Sequence, residues 1–168
     1  MNRAKIRQQV FDILGDGLWH TTLPNRFDNI LQDGAILPEP TLPENERWGT
    51  KEGPDGHPYV RSLGGVSLFD FHGFDEDEYY EMHPQNSLAY FIPCIEKYGA
   101  ATWIEIDRIS IDASFISGAD LLCRWKEENS TRRIMAQVEA AYIGPLSKKN
   151  FVRAMQVSKG SVEVHEFI

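Results

Sequence analysis

The chain has little cysteine. Cys94 and Cys123 are its only two in 168 residues, too few and too far apart for a disulfide framework or a zinc ligand set. Each sits in an apolar helical pattern, which predicts buried free thiols. Long apolar runs are missing as well. No stretch reaches bilayer-spanning length, and the opening MNRAKIRQQVFDIL is charged, without the apolar segment of a secretory signal. These features predict a cytoplasmic protein in a reducing compartment, with no membrane partner. Positive charge is in deficit: 17 Lys and Arg stand against 25 Asp and Glu, a net charge of -8. That balance argues against a broad nucleic-acid-binding face. It leaves room for a local basic groove, for which Arg124, Lys126, Arg132 and Arg133 are close in sequence. There is no glycine-rich phosphate loop and no Ser-His-Asp or Cys-His arrangement.

What is present is ordinary for a globular domain: 42% hydrophobic and 25% charged residues. The length fits one domain, residues 1–168, with a core that needs no staples. Ile6, Val10, Ile13 and Leu14 share a helical face over 4–14, and Gly15 ends it. A short strand is expected near Trp19. A second helix is expected over 24–33, with Phe27, Ile30 and Leu31 on one face, Pro24 in the first turn and Gly34 as its stop. Residues 38–58 carry five of the nine prolines and read as a long loop. They are expected to form a mobile cover over a ligand site.

Beyond the loop, 59–71 reads as a strand with Val66, Leu68 and Asp70 on one face and Ser67, Phe69 and Phe71 on the other. Residues 87–98 resume a helical pattern interrupted by Pro93. Strands are expected at 101–111, where Trp103, Ile104, Ile106, Ile109 and Ile111 recur, and at 133–143. Helices are expected at 117–128 and 146–154, with a last strand at 162–167. Strands and helices mix without βαβ alternation, so the class is α+β.

The candidate chemistry begins at LWHTTLPNRFDNILQDGAILP, Leu18 to Pro38. His20 and the Thr21-Thr22 pair precede the positive end of a helix, where unpaired N–H groups favour an anion such as phosphate. Glu139 lies in an otherwise apolar strand, MAQVEAAYIGPLS. Burying an unpaired carboxylate there would be costly; an edge strand with Glu139 facing water is the alternative. Gln137 is two residues earlier, on the same face if the strand includes it. The acidic run from Asp75 to Glu81, with His72 and His83, reads as a solvated loop rather than a metal site. Trp19, Trp103 and Trp125 read as packing, and Trp48 as packing or a ring over a ligand.

In chain order, His20, Ser67 in GVSLFDF and Glu139 in QVEAAYIGPLSKKNF resemble the site of ADP-ribosyltransferase-like proteins of the diphtheria-toxin-like and PARP-like branch. They are also similar to DNA-modifying toxins and RNA 2′-phosphotransferases of the same fold. The resemblance runs over roughly residues 18–157, through these short segments. It implies a split β-sandwich with an NAD cleft and transfer of ADP-ribose from NAD to a macromolecular acceptor, with no metal. His20 and Thr21 would bind the ribose side. Ser67 would line the nicotinamide pocket, and Gln137 would assist the acceptor. Glu139 would be catalytic, because a fixed carboxylate stabilises the cation that forms on the ribose. The family commonly has tyrosine where this chain has Ser67, so another ring must stack on nicotinamide: Phe69, Phe71, Tyr79 or Tyr80. The alternatives are a phosphotransferase or NAD hydrolase of the same fold, and a non-catalytic module whose acidic loop meets a basic partner.

Overall fold

The computed structural model describes residues 3–47, 53–84, 88, 91–92, 99–111 and 113–167. The chain opens with α1 (Arg3–Leu14) and β1 (Leu18–Thr22), followed by α2 (Pro24–Asp33) and β2 (Ala35–Ile36). After a long loop with two short 3-10 turns come α3 (Tyr59–Ser62), β3 (Gly65–Asp70), α4 (Glu76–Met82) and β4 (Ala100–Ile106). The last third contains β5 (Phe115–Ile116), α5 (Gly118–Glu127), β6 (Glu139–Ile143), β7 (Leu146–Ser147), β8 (Phe151–Ser158) and β9 (Val162–Glu166).

Seven strands form one sheet in the order β5-β6-β3-β1-β4-β8-β9, and β2 pairs with β7. Every pairing is antiparallel. The class is therefore α+β. Alternation along the strands separates two cores. On one face, Trp19, Phe69, Phe71 and Trp103 pack against Ile6, Val10 and Leu14 of α1. On the other, Leu18, Val66, Leu68 and Ile104 pack against Phe27 of α2, with Ile30 and Leu31 beside it. Each fully buried aliphatic side chain contributes about 1.5–3 kcal/mol relative to exposure. The α1 and α2 stripes therefore fix which face each helix covers. Gly34 stops α2 in the left-handed conformation, φ 70°, which costs glycine little.

The centre of the sheet is thinly joined. All five residues of β1 pair with β4, from Leu18↔Ile106 to Thr22↔Thr102. Only two pair with β3, Leu18↔Asp70 and Trp19↔Phe69. Phe71 N adds one bond to Gly17 O at that end. Beyond Trp19 the two strands part: His20–Thr22 stay with β4, and Gly65–Leu68 stay with β6. Two half-sheets are thus linked by a short seam into one sheet.

Several expected elements differ. Residues 146–154 are not a helix: β7 and a 3-10 turn lead into β8, because Ala154 and Met155 pair with Ile104 and Trp103 of β4. Residues 59–62 form a helical turn ahead of β3. The acidic run is α4 rather than a loop, capped by Asp75, whose carboxylate accepts Glu78 N–H at 2.8 Å. Ile109 lies beyond the end of β4 and is exposed. Cys123 is exposed, not buried, on the outer side of α5. Cys94, Pro93 and Trp48 lie outside the described residues; of the expected 87–98 helix only Leu88, Phe91 and Ile92 are described, and Leu88 and Ile92 are buried. No helix among the described residues is long and apolar enough to cross a membrane.

Candidate active site

Where β1 and β3 part, a cavity of about 890 Å³ opens. His20 and Thr21 line it from β1, Ser67 and Phe69 from β3, and Glu139 from the first position of β6. Strand parity sets His20 on the α2 face, opposite Ile104. Ser67 and Glu139 belong to the other face, with Phe69 opposite Glu139. One cavity reaches all of them because the ladder is open between the strands. It draws Ile30 and Ile36 from one side and Phe91 from the other.

The seam orients His20. Its Nδ1 lies 3.0 Å from Ser67 O across the gap. A carbonyl only accepts, so Nδ1 carries the proton and Nε2 keeps its lone pair. Burial pushes the ring below its usual 6.5, only partly offset by the bond to Ser67. The imidazole is neutral at neutral pH, and Nε2 suits a ligand hydroxyl.

Glu139 is buried and satisfied by short bonds. Ser67 Oγ donates to Oε1 at 2.6 Å, and Met135 N–H donates to Oε2 at 2.9 Å. Burial raises its pKa above the ordinary glutamate value, and these donors and the charge of Arg133 pull it back. An isolated buried carboxylate costs several kcal/mol on the order expected for desolvated ions. The two donors offset part of that cost and fix both oxygens. The result is a pre-oriented carboxylate of raised basicity at a cavity wall.

Gln137 stands apart from this group. It is exposed, has φ 65° and lies in the turn before β6. The expectation that it shares a strand face with Glu139 fails because β6 begins only at Glu139, and Gln137 is not part of the cavity wall. Its role is structural: a Cβ on Gly118 would lie 2.0 Å from Gln137 O, so the first residue of α5 must be glycine for this turn to seat.

Of the four candidate rings, only Phe69 lines the cavity, joined by Phe91, with which it makes an edge contact at 5.2 Å. Phe71, Tyr79 and Tyr80 pack elsewhere. Burial pushes the Tyr79 hydroxyl up to about 12, with smaller contributions from Tyr80 and Glu139. The expected basic groove also breaks up. Arg124 pairs with Glu128 and Arg132 donates to His57 O, while Arg133 reaches the cavity.

Sequence reasoning missed Arg26, Arg47 and Arg61, which line the cavity together with Arg133. They lie on α2, in the proline-rich loop and in α3, so no local motif joins them. Met135, whose N–H holds Glu139, carried no sequence signal either. Among the described residues no group of His, Cys, Asp and Glu is placed to hold a metal. Set beside known proteins, the chain matches no protein-family model and no curated protein.

Proposed function

We propose that the chain is an ADP-ribosyltransferase-like enzyme that cleaves NAD at this cavity and transfers ADP-ribose to a macromolecular acceptor. The reading is carried by one observation: a buried, doubly hydrogen-bonded carboxylate, Glu139, shares a cavity with a neutral histidine whose free nitrogen is an acceptor. The cavity volume of about 890 Å³ lies in the range of sites that enclose a small ligand. His20 Nε2 would accept a ribose hydroxyl. Phe69 and Phe91 offer apolar ring surface near Glu139 for the nicotinamide. In this reading the opening between β1 and β3 of the one seven-stranded sheet would serve as the NAD cleft that the resemblance implies.

The chemistry follows from those positions. The bond between the ribose C1′ and the nicotinamide nitrogen breaks, and its electron pair leaves with neutral nicotinamide. Positive charge develops on the ribose, and the Glu139 carboxylate stabilises it. A nucleophile on the acceptor then bonds to C1′ and loses its proton. Ser67 serves this scheme by holding Glu139 rather than by stacking on the nicotinamide.

The test is nicotinamide release, with NAD affinity measured separately by calorimetry. Glu139→Gln keeps the size of the side chain and removes its charge. Its turnover is expected to fall about 100- to 1,000-fold while NAD affinity stays within a few fold, since the charge is needed most in the transition state. Free ADP-ribose formed without added acceptor would assign water as the acceptor. Undiminished release by Glu139→Gln would remove the catalytic reading, and NAD binding without cleavage by the unmodified chain would make the site a binding module.

A further inference from the structure

The cavity is a positive island in an acidic protein. Among the described residues, four arginines line it, Arg26, Arg47, Arg61 and Arg133, against two carboxylates, Asp33 and Glu139, in a chain of net charge -8. Three of the four are organised together. Arg61 forks onto Glu39, with Nε to Oε1 at 2.6 Å and Nη2 to Oε2 at 3.1 Å, and also reaches Glu44 at 3.2 Å. Arg47 donates to Glu39 at 2.8 Å and to Pro40 O at 2.8 Å. Arg26 donates to Glu46 at 3.2 Å. The glutamates all come from the 38–47 segment, and none of them lines the cavity.

The two signs are layered. The three arginine side chains are 12–16% exposed, and their glutamate partners 34–55% exposed. The carboxylates therefore stand toward solvent, where water and salt screen them. The guanidinium groups face a space of lower dielectric, where their charge acts more strongly. Arg47 Nε and Arg61 Nη1 are buried with no hydrogen-bond acceptor among the described residues. Such unmade bonds are rare and costly in a finished structure. Arg26 commits one nitrogen to Glu46 and leaves the others without a protein acceptor among the described residues.

We propose that Arg26, Arg47 and Arg61 form a preorganised subsite for the diphosphate of a nucleotide diphosphate ester, with Glu39, Glu44 and Glu46 as the outer carboxylates that aim them. Three forked cations on one wall suit a ligand with more than one negative charge and several acceptor oxygens, and phosphate oxygens match the guanidinium fork. The subsite rests on the NAD reading only for the identity of the full ligand; ADP is its minimal probe.

The experiment compares ADP with adenosine by calorimetry on the intact chain. The unmodified protein is expected to bind ADP at least about tenfold more tightly than adenosine, and inorganic diphosphate is expected to displace ADP. In Arg26→Gln, which alters a partly exposed pair, and in Arg61→Lys, which keeps the charge but loses the fork, the preference should shrink to less than about threefold with adenosine affinity unchanged. Circular dichroism confirms that each variant is folded, and Arg26→Gln decides the matter if Arg61→Lys is not. Absence of an ADP preference in the unmodified chain overturns the subsite, as does a preference that survives in the folded variants. Loss of the preference in a chain that never cleaves NAD supports the subsite and overturns the NAD reading. Nicotinamide release without any ADP preference does the reverse.

Discussion

The Ser67 hydroxyl donates a 2.6 Å hydrogen bond to Glu139 Oε1, joining positions 72 residues apart across neighbouring strands. Ser67 faces Ala141 in the register and Glu139 faces Phe69, so the two side chains meet diagonally on one face of the sheet. The serine is thus a positioning residue for the carboxylate. Ser67→Ala removes a donor that favours the charged form, and the already raised Glu139 pKa is expected to rise further. Because the proposed reaction needs the ionised carboxylate, the acid limb of the turnover–pH profile should move to higher pH. A hydrogen bond to a charged group contributes about 1.5–3 kcal/mol, so turnover at neutral pH should fall roughly 10- to 100-fold. Ser67→Thr, which retains the hydroxyl, should restore the position of the acid limb. An unmoved limb in Ser67→Ala would show that the bond does not tune Glu139.

His20 makes a prediction about stability. Its folded-state pKa lies below 6.5 because burial disfavours the cation. The unfolded chain therefore binds this proton more tightly than the native one. Stability is fully present above 6.5 and declines as pH falls from 6.5 toward the folded value. Denaturant midpoints measured down this range should fall less steeply in His20→Ala than in the unmodified chain. Glu139, with its pKa raised from 4.5, contributes the opposite slope, losing stability as pH rises from 4.5 toward its folded value. The double comparison with Glu139→Gln separates the two. Parallel curves for His20→Ala and the unmodified chain would contradict a neutral ring held below its usual pKa.

Gly118 does not line the cavity, yet it sets the approach to β6. A methyl group there would meet Gln137 O at 2.0 Å and the Gln137 carbonyl carbon at 2.9 Å. Backbone cannot yield as a side-chain tip does, so Gly118→Ala is expected to lose about 1–3 kcal/mol or more in chemical denaturation. Nicotinamide release should fall as well, because the displaced turn carries Met135 and Glu139. Gln137→Ala, by contrast, should leave both quantities within error. Full stability in Gly118→Ala would mean that the turn relaxes freely.

Ion pairs of partly exposed groups tie the 38–47 segment to Arg26, His57 and Arg61. Such pairs are weak singly and screened by salt. Hydrogen exchange in this segment should therefore be faster in high salt than in low salt, and slower when NAD is bound at saturation. Identical exchange with and without bound NAD would exclude it as a cover closed by the ligand.

The elements with a strong apolar period were legible in sequence. α2 occupies the expected 24–33, because Pro24, the Phe27-Ile30-Leu31 face and Gly34 all agree. The faces of β3 also followed from alternation, with Val66 and Leu68 in one core and Phe69 and Phe71 in the other. Residues 146–154 misled because Leu146, Lys148-Lys149 and Ala154 carry no local mark of a strand. Pairing with β4 decides them, and pairing is non-local. α4 was hidden by its charge, although Asp75 three residues before Glu78 is a capping signal. That His20, Ser67 and Glu139 line one cavity was expected from their chain order, but the approach of the three arginines was not. They converge only through the folding of the proline-rich loop against α2 and α3.

The seam between β1 and β3 has a mechanical consequence. Two residue pairs hold the midline of a seven-stranded sheet, and just past them a histidine side chain stands where a backbone rung would be. The ring acts as a spacer: it satisfies Ser67 O, which a closed ladder would have bonded to main chain, and so removes the drive for the strands to zip together. The site is in this sense an unfinished stretch of β-ladder, kept open by one imidazole. Its width depends on this two-pair seam, so strain applied along β3 or β1 is expected to be expressed as a change in the gap between His20 and Glu139.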